Sequence, residues 1–134
     1  MNSQIFVNLP VANLPKSRAF FEALGYSCNE QFSDDTAACV VISEHIHVML
    51  LTHPKIRDFI PKEIEICDAT KAVEVLICLS CESRDEVESL VRKAVAAGGC
   101  TYAEPKDYGF MLQHSFQDLD GHRWELVHMS GMPS

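Results

Sequence analysis

The stretch Phe116-Gln-Asp-Leu-Asp-Gly-His-Arg-Trp-Glu-Leu-Val-His128, FQDLDGHRWELVH, decides the fold. Its Asp-Leu-Asp-Gly segment has turn chemistry, and the residues that follow alternate as a strand does. Arg123, Glu125 and Val127 share one face; Trp124, Leu126 and His128 share the other. Earlier in the chain, His47-Val-Met-Leu-Leu-Thr-His53 can be laid over His122–His128 with histidines at both ends. That overlay puts His47 on His122 and Leu50 on Glu125.

Working outward, the two stretches close two similar passes. QIFVNLPV, residues 4–11, reads as a strand. Asn13 is placed to cap a helix with Pro15 in its first turn, and Gly25 to stop it. Strand-like pieces follow at Ser27–Phe32, Ala37–Ser43 and His45–His53. The second pass opens with the apolar run VEVLICLSC. Ser83-Arg-Asp-Glu86 has the spacing of a capping box, in which serine and glutamate each accept from the other's backbone N–H. Val87, Leu90, Val91, Ala94 and Val95 then fall on one helical face, ended by Gly98-Gly99. Strands at Thr101–Glu104, Met111–Gln117 and Arg123–His128 complete the pass. Strand, helix and three strands thus occur twice, which reads as a duplication. The expected organisation is a single domain over 1–134, with module one at 4–53, a linker at 54–73 and module two at 74–129. A helical turn is expected near Lys55–Phe59.

The 134 residues carry a net charge of −8, with the 11 lysines and arginines scattered. A nucleic-acid backbone or an anionic membrane needs clustered basic charge, so neither is expected as a partner. No run reaches the roughly 18 apolar residues of a membrane span, and the N-terminal stretch lacks a basic-then-apolar leader, so the expected address is cytoplasmic. In that compartment the six cysteines are expected as free thiols. Cys78 and Cys81, three apart on a strand, should face opposite sides rather than share a metal.

A doubled βαβββ unit with NLPV and S.AFFEALG early and F.DLDGH.WEL late resembles the vicinal oxygen chelate superfamily. That group contains glyoxalase-like lyases, bleomycin- and fosfomycin-resistance proteins and extradiol dioxygenases. The resemblance covers residues 4–129 and implies an α+β fold, a curved, incompletely closed mixed sheet around a cavity, and a homodimer. It also implies four inward strand positions that hold a divalent metal in the catalytic members. By register these fall on Phe6, Leu50, Leu76 and Glu125, of which Glu125 alone can ligate. The site is therefore expected to be degenerate, with no metal or other cofactor.

The expected cavity is apolar, lined by Phe6, Leu50 and Leu76, with Asn8, Arg123 and Glu125 as its polar points. Glu125 is either a structural partner of Arg123 or a ligand-contacting base. Tyr108 and Phe110, in the loop Glu104–Phe110, are either incidental turn residues or a lid over the ligand. His45 and His47 are expected on the surface away from the cavity, and the face of His114 is open. The function expected is binding of a small, largely apolar organic molecule, for sequestration or for metal-independent conversion. The alternatives are a metal-dependent lyase, isomerase or dioxygenase that recruits His114 beside Glu125, and a scaffold whose cavity is filled by side chains.

Overall fold

The computed structural model describes residues 1–130. The chain divides into two compact units between Cys67 and Asp68, so residues 54–67 of the expected linker belong to the first unit and 68–73 to the second. Each unit is one four-stranded mixed sheet with a covering helix. Neither sheet closes on itself.

In the first unit, β1 (Ile5–Val11) leads into α1 (Leu14–Ala23), then β2 (Ser27–Asn29), β3 (Ala37–Val41) and β4 (Ile46–Thr52). The sheet order is β1-β4-β3-β2, with β1 parallel to β4 and the other pairs antiparallel. Asn13 caps α1 as its sequence predicts: its Oδ1 accepts from the Lys16 N–H at 3.0 Å. Leu14, Ser17, Phe20 and Phe21 form the buried stripe of the helix, which packs on β3 and β4. Gly25 takes φ +105°, a left-handed conformation that suits glycine beyond a helix end. The strand expected to reach Phe32 stops at Asn29, because the Asn29 side chain accepts from Gln31 N–H and starts a 3-10 turn over Glu30–Phe32. A short helix, α2 (His53–Arg57), forms two residues ahead of the expected turn, capped by Thr52.

In the second unit, β5 (Leu76–Ser80), α3 (Arg84–Ala96), β6 (Lys106–Asp107), β7 (Met111–Gln117) and β8 (Arg123–Met129) repeat the plan. The order β5-β8-β7-β6 matches the first sheet strand for strand. Ser83 Oγ accepts from the Glu86 N–H at 3.0 Å, but the glutamate returns to the N–H of Glu82 at 3.2 Å, one residue earlier than the expected box. Val87, Leu90, Val91 and Ala94 are buried, whereas Val95 is 48 % exposed and lies off the stripe.

The strand expected at Thr101–Glu104 does not form. Cys100 makes one isolated bridge to Gln117, and Thr101 Oγ1 donates to the Ser115 carbonyl instead of continuing a ladder. The edge strand is β6, inside the segment expected as a loop. Among the described residues no helix is long and apolar enough to cross a membrane. The six cysteines are free thiols; Cys78 is exposed and Cys81 buried, as alternation requires. Burial pushes the Cys81 thiol up to about 12, so it stays protonated and inert at neutral pH.

Candidate functional site

The segment Phe116–His128 is held by one buried carboxylate. Asp118 Oδ1 accepts from the backbone N–H groups of Asp120 and His122, each at 3.0 Å, and Oδ2 accepts from Trp124 Nε1 at 3.1 Å. Burial raises the pKa of this carboxyl, opposed by the His122 charge and by those hydrogen bonds. Gly121, at φ +90°, lies so close to the 69–70 backbone that a Cβ would meet Thr70 N at 2.6 Å. Arg123 Nη1 donates to the Ala69 carbonyl at 3.0 Å and completes the clasp. The turn therefore fixes where β8 begins, and with it the face on which Glu125 emerges.

On that face Glu125 lies between Cys78 of β5 and Ser115 of β7. Leu76, Cys78, Ser115, Arg123 and Glu125 share it by alternation, and Trp124 and Leu126, both fully buried, point the other way. Tyr102 reaches in from the segment after Cys100. Its phenol interacts with the side chains of Ser115 and Glu125, and its ring has the Arg123 guanidinium 5.6 Å from the centroid. Burial is the main cause that raises the phenol's pKa, with Ser115 opposing and Glu125 adding, so Tyr102 remains a hydrogen-bond donor at neutral pH. Burial, then the Glu125 charge, raises Cys78. The ion pairs among the described residues do not include Arg123 with Glu125, one of the two roles open to that carboxylate; the guanidinium donates to the Ala69 carbonyl and lies over the Tyr102 ring.

The first sheet shows the equivalent face and corrects one assignment. Phe6 pairs with His47, Asn8 with Met49 and Leu9 with Leu50. In the second sheet Leu76 pairs with Arg123 and Cys78 with Glu125. The burial sequences from Phe6 and from Leu76 agree at five of their first six positions, and the two N-caps, Asn13 and Ser83, stand seven residues beyond each. His47 therefore corresponds to Arg123, not His122, and Met49 to Glu125. Leu50 corresponds to Leu126; both are fully buried on the face that carries the core. The histidine-ended overlay is one residue out of register, and in a strand one residue reverses every side chain. Leu50 thus leaves the candidate site and Met49 enters it.

His47 moves the other way. Expected on the outer surface, it stacks on Phe6 with ring centroids 4.6 Å apart and an interplanar angle of 11°. Asn8, on the same face, donates weakly to the Phe6 carbonyl at 3.4 Å. His114 pairs with Leu126 and lies on the opposite side of its sheet from Glu125. Tyr108 and Phe110 are 52 % and 47 % exposed at the tip of the β6–β7 hairpin, where Asp107 accepts from the Gly109 N–H at 2.9 Å. Within each unit, then, Phe6 and Asn8 are brought together with His47 and Met49, and Leu76, Arg123 and Glu125 with Tyr102, Ser115 and Cys78. Tyr102 carried no signal at the sequence level, because it reaches the face from an irregular segment. Among the described residues no group of three or more His, Cys, Asp or Glu is placed to hold a metal ion.

This doubled unit defines a known class. Residues 4–126 match the model of the Glyoxalase/Bleomycin resistance protein/Dioxygenase superfamily, and the chain belongs to that family. Among solved structures it is similar to a hypothetical protein from S. aureus, with 28 % identity, a TM-score of 0.77, and coverage of 96 % of this chain and 94 % of that one. A glyoxalase-related enzyme from Fulvimarina pelagi is 17 % identical with a TM-score of 0.80, covering 99 % and 92 % of the two chains. A bleomycin resistance determinant encoded on the transposon Tn5 is 18 % identical with a TM-score of 0.65, covering 96 % and 98 %. The last two show the fold. No curated protein matches the chain.

Proposed function

We propose that the protein binds a small, largely apolar organic molecule on the open faces of its sheets, without the metal used by catalytic members of its family. One observation carries the reading: the four corresponding strand positions hold Phe6, Met49, Leu76 and Glu125. A hard or borderline divalent ion needs several oxygen or nitrogen donors, and this set offers one carboxylate. Phenylalanine, leucine and a thioether instead offer surface to a hydrocarbon or aromatic ligand. Phe6 and Leu76 are 46 % and 54 % exposed, large apolar areas available for burial at roughly 25 cal/mol per Å². The stacked Phe6–His47 pair supplies a flat platform, which favours an aromatic ligand. On the second unit's own face Glu125, beside the Tyr102 phenol, is the polar group that can orient a ligand or take a proton from it. Sequestration and metal-independent conversion both fit this arrangement. The metal-dependent alternative loses its proposed second ligand, since His114 lies across the sheet from Glu125. A homodimer belongs to the same reading and is checked by light scattering.

The test is thermal denaturation of the full chain with neutral and carboxylic aromatic compounds, and separately with nickel, iron and manganese. A ligand at a hundred times its Kd stabilises by about 2.7 kcal/mol, a shift of several degrees. Aromatic compounds should raise the melting temperature, Phe6→Ala should abolish the shift, and the metals should leave it unchanged. Stoichiometric metal in the purified protein, lost in Glu125→Ala, would overturn the reading in favour of the metal-dependent enzyme.

A further inference from the structure

The second unit also has a cleft of about 230 Å³ between α3 and β7, on the side of the sheet away from Glu125. Val91 and Leu112, both buried, and Pro105 give it apolar walls. Glu88 and Arg92, exposed and one helical turn apart on α3, supply the charges. His114 lines the cleft too. Its Nδ1 is shut off from solvent and has no hydrogen-bond partner among the described residues. With Nδ1 closed off, the ring's other nitrogen, Nε2, is the one that can meet a ligand atom in the cleft.

We propose that this cleft is a binding site for a small organic monocarboxylate with a compact apolar body, such as a single ring. The volume sets the size, being below the roughly 300 Å³ at which pockets for larger organic ligands begin. The apolar walls suit the ring. The planar fork of Arg92 matches a carboxylate in two-point contact, and the imidazole of His114 can present an N–H to the same group. Glu88 sets the charge limit: beside it a dianion such as phosphate is repelled, and Arg92 repels an organic cation. The site shares no residue with the open-face reading and does not depend on it.

The experiment is a titration of the isotopically labelled full chain with sodium benzoate, followed by backbone amide resonances. Saturable shifts at Val91, Leu112 and His114 are expected, with none of that pattern from inorganic phosphate or benzylamine. Arg92→Ala, an exposed helix position that leaves folding intact, should weaken benzoate at least about tenfold. His114→Phe should weaken it similarly, and Glu88→Gln should tighten it. Phe6→Ala and Glu125→Ala should leave the titration unchanged. Non-saturating shifts, equal binding of phosphate or benzylamine, or full affinity in Arg92→Ala would each overturn the proposal. Benzoate shifts confined to residues around Phe6 or Glu125 would also overturn it, while leaving the open-face reading standing.

Discussion

The two units are alike where they are buried and different where they are open. Val48 and Leu50 of β4 answer to Trp124 and Leu126 of β8, and all four are fully buried. Even the outer edges agree: an arginine on each covering helix pairs with a carboxylate at the sheet edge, Arg18 with Glu30 and Arg84 with Asp107. On the open faces only the apolar residues at Phe6 and Leu76 match. Phe6, His47 and Met49 make one apolar and aromatic, whereas Leu76, Arg123 and Glu125 with Tyr102 make the other polar and charged. Packing against a helix leaves little choice of residue, because cores are close-packed. An open sheet face carries no such constraint, and there the copies have diverged. The comparison teaches where function is written: on the faces that differ.

The sharpest way to break the comparison is to delete the core side chains that it equates. Leu50→Ala and Leu126→Ala should each cost about 2–5 kcal/mol, since each removes a fully buried side chain. Met49→Ala and Glu125→Ala, on the open faces, should each cost within about 1 kcal/mol. Urea denaturation of the four variants decides it. A mild Leu50→Ala beside a severe Met49→Ala would reverse the register and put Leu50 back opposite Glu125. Smaller effects come from the helix starts. Asn13→Ala and Ser83→Ala should each lose about 1 kcal/mol, as caps do. The α3 end should be additionally sensitive to Asp85→Asn, by a few tenths, because acidic residues stand in its first turn and none in that of α1. No loss of stability in Asp85→Asn would remove that distinction.

The caps, the stopping glycines and the helix stripes were legible because they are local: each needs only the residues within a turn or two. Register was harder. The histidines at 47, 53, 122 and 128 offered an overlay that the hydrogen-bond ladder does not use, and a one-residue slip exchanges the open face for the core. Nothing in the residues from 47 to 53 alone distinguishes Met49 from Leu50, since both are apolar. What separates them is which one α1 and the sheet bury, a tertiary fact. Thr101–Glu104 looked extended for a related reason: threonine and tyrosine favour strands, but the Thr101 hydroxyl is used on the Ser115 carbonyl. Tyr102 was invisible as a site residue because its approach to Glu125 depends on that irregular crossing. Glu125, by contrast, was legible from its turn, whose Asp118 and Gly121 are required by identifiable contacts.

The smallest expected effect concerns the edge pairs, and it turns on pH. The Arg84 guanidinium and the Gly109 N–H hold the Asp107 carboxyl below its ordinary value of 3.8. A carboxylate whose folded pKa is depressed contributes stability that is fully present above its unfolded value. That stability is lost as pH falls through the folded one. Asp107→Asn removes the titrating group, so the melting temperatures of the variant and the parent should differ by a constant small amount above pH 3.8. The gap should then close as the pH falls below that value. Added salt should shrink the same gap, because both partners are substantially exposed and their attraction is screened. The gap tests the edge equivalence directly: Arg84→Ala should shrink the pH dependence that Asp107 contributes to what the Gly109 N–H supplies, whereas Arg18→Ala, in the other unit, should leave it intact. A gap that widened on acidification, or one unaffected by Arg84→Ala, would mean that Asp107 is held by something other than the helix arginine. The matched edges of the two units would then be a coincidence of charge.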